Sequence, residues 1–112
     1  SLAGAIGEHI TNKYPEDVTV NVGFNSGTQP LVEAKRYMEG KGKGKGKSVQ
    51  YTTLTDPLST GIMLRPDVDL RIAKRVKGLD PHTLDNFSRE TRHQGVPIVR
   101  APKRNIKHSV FA

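Results

Sequence analysis

Apolar residues recur at every fourth position where the chain begins. Leu2, Ile6 and Ile10 share one face of a helix that Ser1 can cap and that ends at Asn12 or Lys13. The period then falls to two. Between residues 18 and 24, Val18, Val20, Val22 and Phe24 alternate with Thr19, Asn21 and Gly23, the pattern of a half-buried strand, and the turn residues Asn25, Ser26, Gly27 and Thr28 stop it. A second helix is expected from Pro30, capped by Thr28, with Leu31, Ala34 and Met38 on its buried face and Gly40 at its end. Residues 48–55 are β-branched and aromatic and read as a strand.

Downstream, helical punctuation surrounds residues 66–77. Pro66 suits a first helical position, Asp67 and Asp69 the first turn, Lys74, Arg75 and Lys77 the last turn, and Gly78 a left-handed terminator. Val68, Ile72 and Val76 supply its stripe. Asp80 and Pro81 open a further helix over 81–93, with Leu84 and Phe87 inward and Gly95 closing it. The two form a helical hairpin. From 95 to 112, Pro97 and Pro102 enforce an extended arm, and the alternation of Ile106, His108 and Val110 with Lys107, Ser109 and Phe111 suggests a last strand. The expected fold is a small single α+β domain with a few-stranded, mostly antiparallel sheet, this hairpin and the basic arm.

Charge changes the picture because it is unevenly placed. Residues 1–39 hold three basic and five acidic side chains; residues 40–112 hold fifteen and six, and the chain as a whole carries +7. One sign concentrated in one part of a 112-residue chain favours a polyanionic partner. Leu, Ile, Val and Phe make up only about a quarter of the residues, and there is no Trp and no Cys, so the expected core is small and unsupported by disulfides, and the fold of modest stability or dependent on a partner. No apolar run approaches a membrane span, and Glu8 and His9 interrupt what would be a secretory apolar segment. The expectation is a soluble virion or cytoplasmic protein without membrane contact.

The stretch Gly40-Lys-Gly-Lys-Gly-Lys-Gly-Lys-Ser48 ends like a phosphate-binding loop but is not one. Its first glycine would have to stand at 41, where the residue is Lys41. Its context, helix before and strand after, is also reversed, whereas phosphate is held by the N-terminus of a helix that follows the loop. The repeat reads instead as a flexible basic loop over 40–48.

Chemistry of other kinds finds little support. Four histidines at 9, 82, 93 and 108 show no metal-ligand spacing, no nucleophile elbow occurs, and no cofactor motif or catalytic set emerges. Two alternatives remain. A metal-independent ribonuclease of the small bacterial toxin type would use His93 and His108 as base and acid with Arg92, Lys103 or Lys107 beside them. A helix-turn-helix DNA-binding protein would present Asn86, Arg89 and Arg92 from the second helix of the hairpin.

The reading the sequence favours is a non-enzymatic structural subunit of a larger assembly, of the phage virion, capsid or connector kind or a ribonucleoprotein subunit. It would contact nucleic-acid phosphates with low sequence preference through Lys41, Lys43, Lys45 and Lys47 of the loop, Arg89 and Arg92, and Arg100, Lys103, Arg104 and Lys107 of the arm. Other protein subunits, identical or not, complete the expected partners.

Overall fold

A computed structural model describes residues 2–40, 47–63, 65–88 and 98–102. Helix α1 spans Leu2–Lys13, strand β1 Val20–Phe24, helix α2 Pro30–Gly40, strand β2 Lys47–Thr53, the short helix α3 Thr60–Met63, strand β3 Asp69–Ala73 and strand β4 Ile98–Arg100. One four-stranded sheet runs in the order β1-β2-β3-β4. α1 packs on β1 and on α2, and α2 packs on α3, so all three helices lie on one face.

The α+β class is as expected, but the sheet is mixed and mostly parallel. β1 pairs with β2, and β2 with β3, in parallel; only β4 runs antiparallel, to β3. The reason lies in the connections. A helix between residues 24 and 47 carries the chain back to the end where β1 began, which makes the next strand parallel. A strand, helix and strand in succession are already a βαβ signal.

The expected helix over 66–77 is a strand. Pro66 and Asp67 stand in a turn, and Asp69-Leu-Arg-Ile-Ala73 alternates as faithfully at period two as Val68, Ile72 and Val76 do at period four. Asp69 and Arg71 form a two-bond ion pair at 3.0 and 2.9 Å, a spacing that shares a face in a strand but not in a helix. A central position between β2 and β4 gives β3 hydrogen bonds on both sides, and this tertiary gain overrides the end charges. Gly78 does adopt a left-handed φ of 87°, but in a turn. With its first member a strand, the hairpin is not formed; of residues 81–93, 84–87 make a 3₁₀ turn and 89–93 lie outside the described residues.

Which side of each element is buried is the larger surprise. Both N-terminal helices and β1 occur where expected, but α1 and β1 turn their apolar stripes outward, and of the α2 stripe only Ala34 is buried as expected. Leu2, Ile6 and Ile10 are exposed, as are Leu31 and Met38, and Val20, Val22 and Phe24. Between helices and sheet lie Glu8, Thr11, Glu33, Ser48, Gln50 and Thr52 instead, with Ala34, Ile62, Val68, Leu70 and Ala73 the only buried hydrophobic residues described.

α1 sits close to the sheet because Gly4 and Gly7 carry no side chain. A Cβ on Gly4 would press on the Ser26 hydroxyl and lie 2.8 Å from the Ser26 Cα, and one on Gly7 would lie 2.6 Å from Asn21 Oδ1. Gly4→Ala is therefore expected to lower stability by about 1–3 kcal/mol through overpacking, more than the gain of about 1 kcal/mol in helix propensity. Urea unfolding monitored by circular dichroism measures this.

Candidate nucleic-acid interface

The helix-facing side of the sheet holds a buried ionic network around Arg65. Its guanidinium donates to Asp67 Oδ1 and Oδ2 at 2.6 Å each, to Glu33 Oε2 at 2.7 Å and to Glu8 Oε2 at 3.3 Å. Glu8 also accepts from Ser48 Oγ, from Gln50 Nε2 at 2.6 Å and from Asn21 Nδ2 at 3.1 Å, and Glu33 accepts from Arg36 at 2.6 Å and from Thr28 Oγ1. Burial works against the Arg65 charge, but the hydrogen bonds and charge of Asp67, then Glu8 and Glu33, outweigh it and raise the pKa above its ordinary value. With Arg65, Glu8 and Glu33 buried and only Asp67 reaching solvent, this cluster joins α1, α2 and the turn before β3 and has its charges satisfied within the protein.

The opposite face of the sheet is open except where the 81–88 segment lies on it. Register places Val20, Val22 and Phe24 of β1, Lys47, Val49 and Tyr51 of β2, Asp69 and Arg71 of β3 and Arg100 of β4 on it together. Phe24 and Tyr51, direct neighbours, stack with centroids 4.9 Å apart and planes 12° from parallel. Phe87 meets both edge-on, at 5.5 and 6.3 Å. Beside the rings, Asp69 binds Arg71 and Arg100, the latter at 3.0 Å. The hydrogen bond from Arg71 holds the Asp69 carboxyl below its ordinary range against the opposing effect of desolvation, and the charge of Arg100 adds to it.

Of the basic residues expected to bind phosphate, Lys47 and Arg100 are described, and both lie on this open face: Lys47 exposed, Arg100 exposed but paired with Asp69. Lys41, Lys43, Lys45, Arg89, Arg92, Lys103, Arg104 and Lys107 lie outside the described residues, as do His93 and His108. Asn86, expected to reach into a DNA groove, is instead buried. Its Oδ1 accepts from the Val76 backbone N–H at 2.9 Å, and its Nδ2 donates to the carbonyls of Asp80 and Thr83 at 2.9 and 3.0 Å.

Sequence reasoning passed over three groups. Lys74, Arg75 and Lys77, taken as helix-end charges, are exposed on the loop leaving the carboxyl end of β3. Phe24, expected to pack inward, is exposed and stacks on half-buried Tyr51. His82, given no role beyond its lack of metal-ligand spacing, has Nδ1 2.8 Å from Oδ2 of buried Asp56, which also accepts from the Leu58 backbone N–H and the Ser59 hydroxyl. Asp56 caps the 3₁₀ turn Pro57–Ser59, so the pair has a structural role in fixing the 81–88 segment.

The described cations do not converge on one surface. Arg36, Arg65, Arg71 and Arg100 are all bonded to carboxylates, Lys13, Lys35 and Arg36 border a cleft of about 410 Å³ between α1 and α2, and Lys74, Arg75 and Lys77 stand at the end of the sheet opposite Lys47. Among the described residues no group of His, Asp and Glu is arranged to hold a metal ion, and no helix is long and apolar enough to cross a membrane. No family model matches this chain, and searches of curated proteins and of solved structures find no match either.

Proposed function

We propose that this protein is a non-enzymatic structural subunit of a larger assembly, and that it contacts nucleic acid through the open face of its sheet. The observation that carries the first half is the reversed amphipathicity. A largely parallel sheet normally has both faces covered, yet here one is covered only in part, by the 81–88 segment, and the apolar stripe of α1 and Leu31 and Met38 of α2 face outward as well. Further protein layers are what such surfaces require. A virion, connector or ribonucleoprotein component fits this demand.

Support for the second half is the chemistry of the bare face. Exposed Phe24, stacked on half-buried Tyr51, can accept a stacked base, and Lys47 lies on the same face to neutralise phosphate, while Arg71 and Arg100 share the single carboxylate of Asp69. Lys74, Arg75 and Lys77 form a separate exposed cationic group at the other end of the sheet. The surface suits single strands better than duplex grooves, because it is a sheet with rings and not a projecting helix.

Titration of labelled single-stranded RNA at several salt concentrations tests this reading. Affinity should fall steeply with salt, Phe24→Ala should weaken binding about tenfold or more at every salt concentration, consistent with about 1–3 kcal/mol for one lost stack, and Lys74→Glu/Arg75→Glu/Lys77→Glu should flatten the salt slope. Binding indifferent to salt and to Phe24 would remove nucleic acid from the reading and leave the assembly role.

A further inference from the structure

β1 is an edge strand, and among the described residues nothing pairs with its outer edge or guards it. Natural sheets protect edges with charges, prolines, bulges or short strands. The opposite edge has such protection: β4 is three residues long, includes Arg100 and is bracketed in sequence by Pro97 and Pro102. Val20-Asn-Val-Gly-Phe24 has none of these features.

The free edge is also self-complementary. The Asn25 backbone N–H donates to the Tyr51 carbonyl, so odd-numbered residues of β1 direct their backbone groups at β2 and even-numbered ones direct them outward. Antiparallel pairing with a second β1 about a two-fold axis at Val22 would satisfy the outward groups of Val20, Val22 and Phe24 in both copies. On the open face it sets Val20 against Phe24 and Val22 against Val22; on the helix face it sets Asn21 against Gly23, a side chain against a gap.

Charge selects the same place. Two molecules of net charge +7 repel wherever lysines and arginines meet. The groove of about 380 Å³ along the β1 edge is lined by Ala3, Gly4, residues 21–25, His82 and Leu84, with no Lys, Arg, Asp or Glu among them. Ala3 lines it from α1, and exposed Ile6 and Ile10, three and seven residues on, share that side of the helix.

We infer that two copies of this chain join through their β1 edges into one continuous eight-stranded sheet, with the exposed stripes of the two α1 helices meeting above the junction. The inference names one partner in the assembly proposed above and rests on that half of the reading, not on nucleic-acid contact.

The absence of native cysteine makes the test direct. Val22→Cys should give a covalent dimer under mild oxidation or with a short bis-maleimide, because the axis brings position 22 opposite itself at about 5.5 Å between Cα atoms. Val20→Cys, opposite Phe24, should cross-link at least tenfold more slowly. Val22→Pro removes an N–H that faces away from β2, so it spares the native ladder while blocking the new one. Sedimentation equilibrium should then show the dimer dissociation constant raised at least tenfold, with the circular dichroism spectrum unchanged. A native chain that sediments as a monomer at every concentration, or a dimer untouched by Val22→Pro, overturns the proposal. RNA titration of the Val22→Pro variant, with Phe24 and the cations intact, reports separately on nucleic-acid binding.

Discussion

Arg65→Met is expected to lower stability by about 3–5 kcal/mol, because it leaves Glu8 and Glu33 buried without their shared cation. Against a total of about 5–15 kcal/mol for a natural domain, that is enough to unfold a large share of the molecules. Few apolar contacts stand in reserve, since Ile62, Val68 and Leu70 are the only large hydrophobic residues fully buried among those described. Arg65→Lys should fall between, keeping the charge but losing the two-pronged contact with Asp67. The ionic explanation makes a sharper demand. Adding Glu8→Gln and Glu33→Gln to Arg65→Met should restore part of the loss, chiefly at Glu8, which Arg65→Met strips of its cation while Glu33 keeps Arg36 at 2.6 Å, and amides can still meet Gln50, Ser48 and Thr28. Urea midpoints of the single and triple variants check it, and a triple variant less stable than Arg65→Met would show that packing of the arginine, not its charge, is what matters.

That network explains why element positions were legible in the sequence while their orientations were not. α1, α2 and β2 follow from their periods, caps and β-branched runs, and all three appear within a residue or two of where they were expected. Amphipathic reasoning then assigns the apolar stripe to the inside, a rule that holds when the apolar stripe faces the domain's own core. Here Gly4 and Gly7 let α1 approach the sheet closely, and Glu8 has four side chains to accept from, so the polar side is satisfied within the domain. No local pattern reveals partners at separations of 40 and 57 residues, such as Ser48 and Arg65. The Asp69–Arg71 alternation did carry a strand signal, but proline and glycine at 66 and 78 had a helical explanation too. As for the candidate interface, Lys47 and Arg100 were identified from charge alone; the Phe24–Tyr51 stack depended on knowing that β1 and β2 are neighbours and that their common face is bare.

Asn25→Ala is the second substitution with a large expected effect, a loss of about 2–4 kcal/mol, and it reaches the candidate interface through the 81–88 segment. Asn25 is buried with φ 48°, a left-handed conformation that Asn tolerates better than Ala. Its Oδ1 accepts from the Thr53 backbone N–H at 2.8 Å, and its Nδ2 lies within hydrogen-bond distance of the Pro81 and His82 carbonyls at 3.2 and 3.1 Å and of Thr53 Oγ1 at 3.3 Å. Truncation leaves these groups inside without partners, at about 1–3 kcal/mol for a buried group that stays unsatisfied. Asn25→Gly loses the same bonds without the left-handed penalty, so it should be about 1 kcal/mol less harmful than Ala. Asn25→Asp separates the two ends of the clasp: it still accepts from Thr53 but sets a carboxylate against two carbonyls, and residues 80–88 should detach while the strands hold. Hydrogen exchange should then accelerate in 80–88 and stay slow in β2 and β3. Because Phe87 rides on that segment, its edge contacts with Phe24 and Tyr51 would be lost and the stacked pair bared further, so RNA affinity should hold or rise even as stability falls. A parallel fall in both would mean that Phe87 belongs to the binding surface itself.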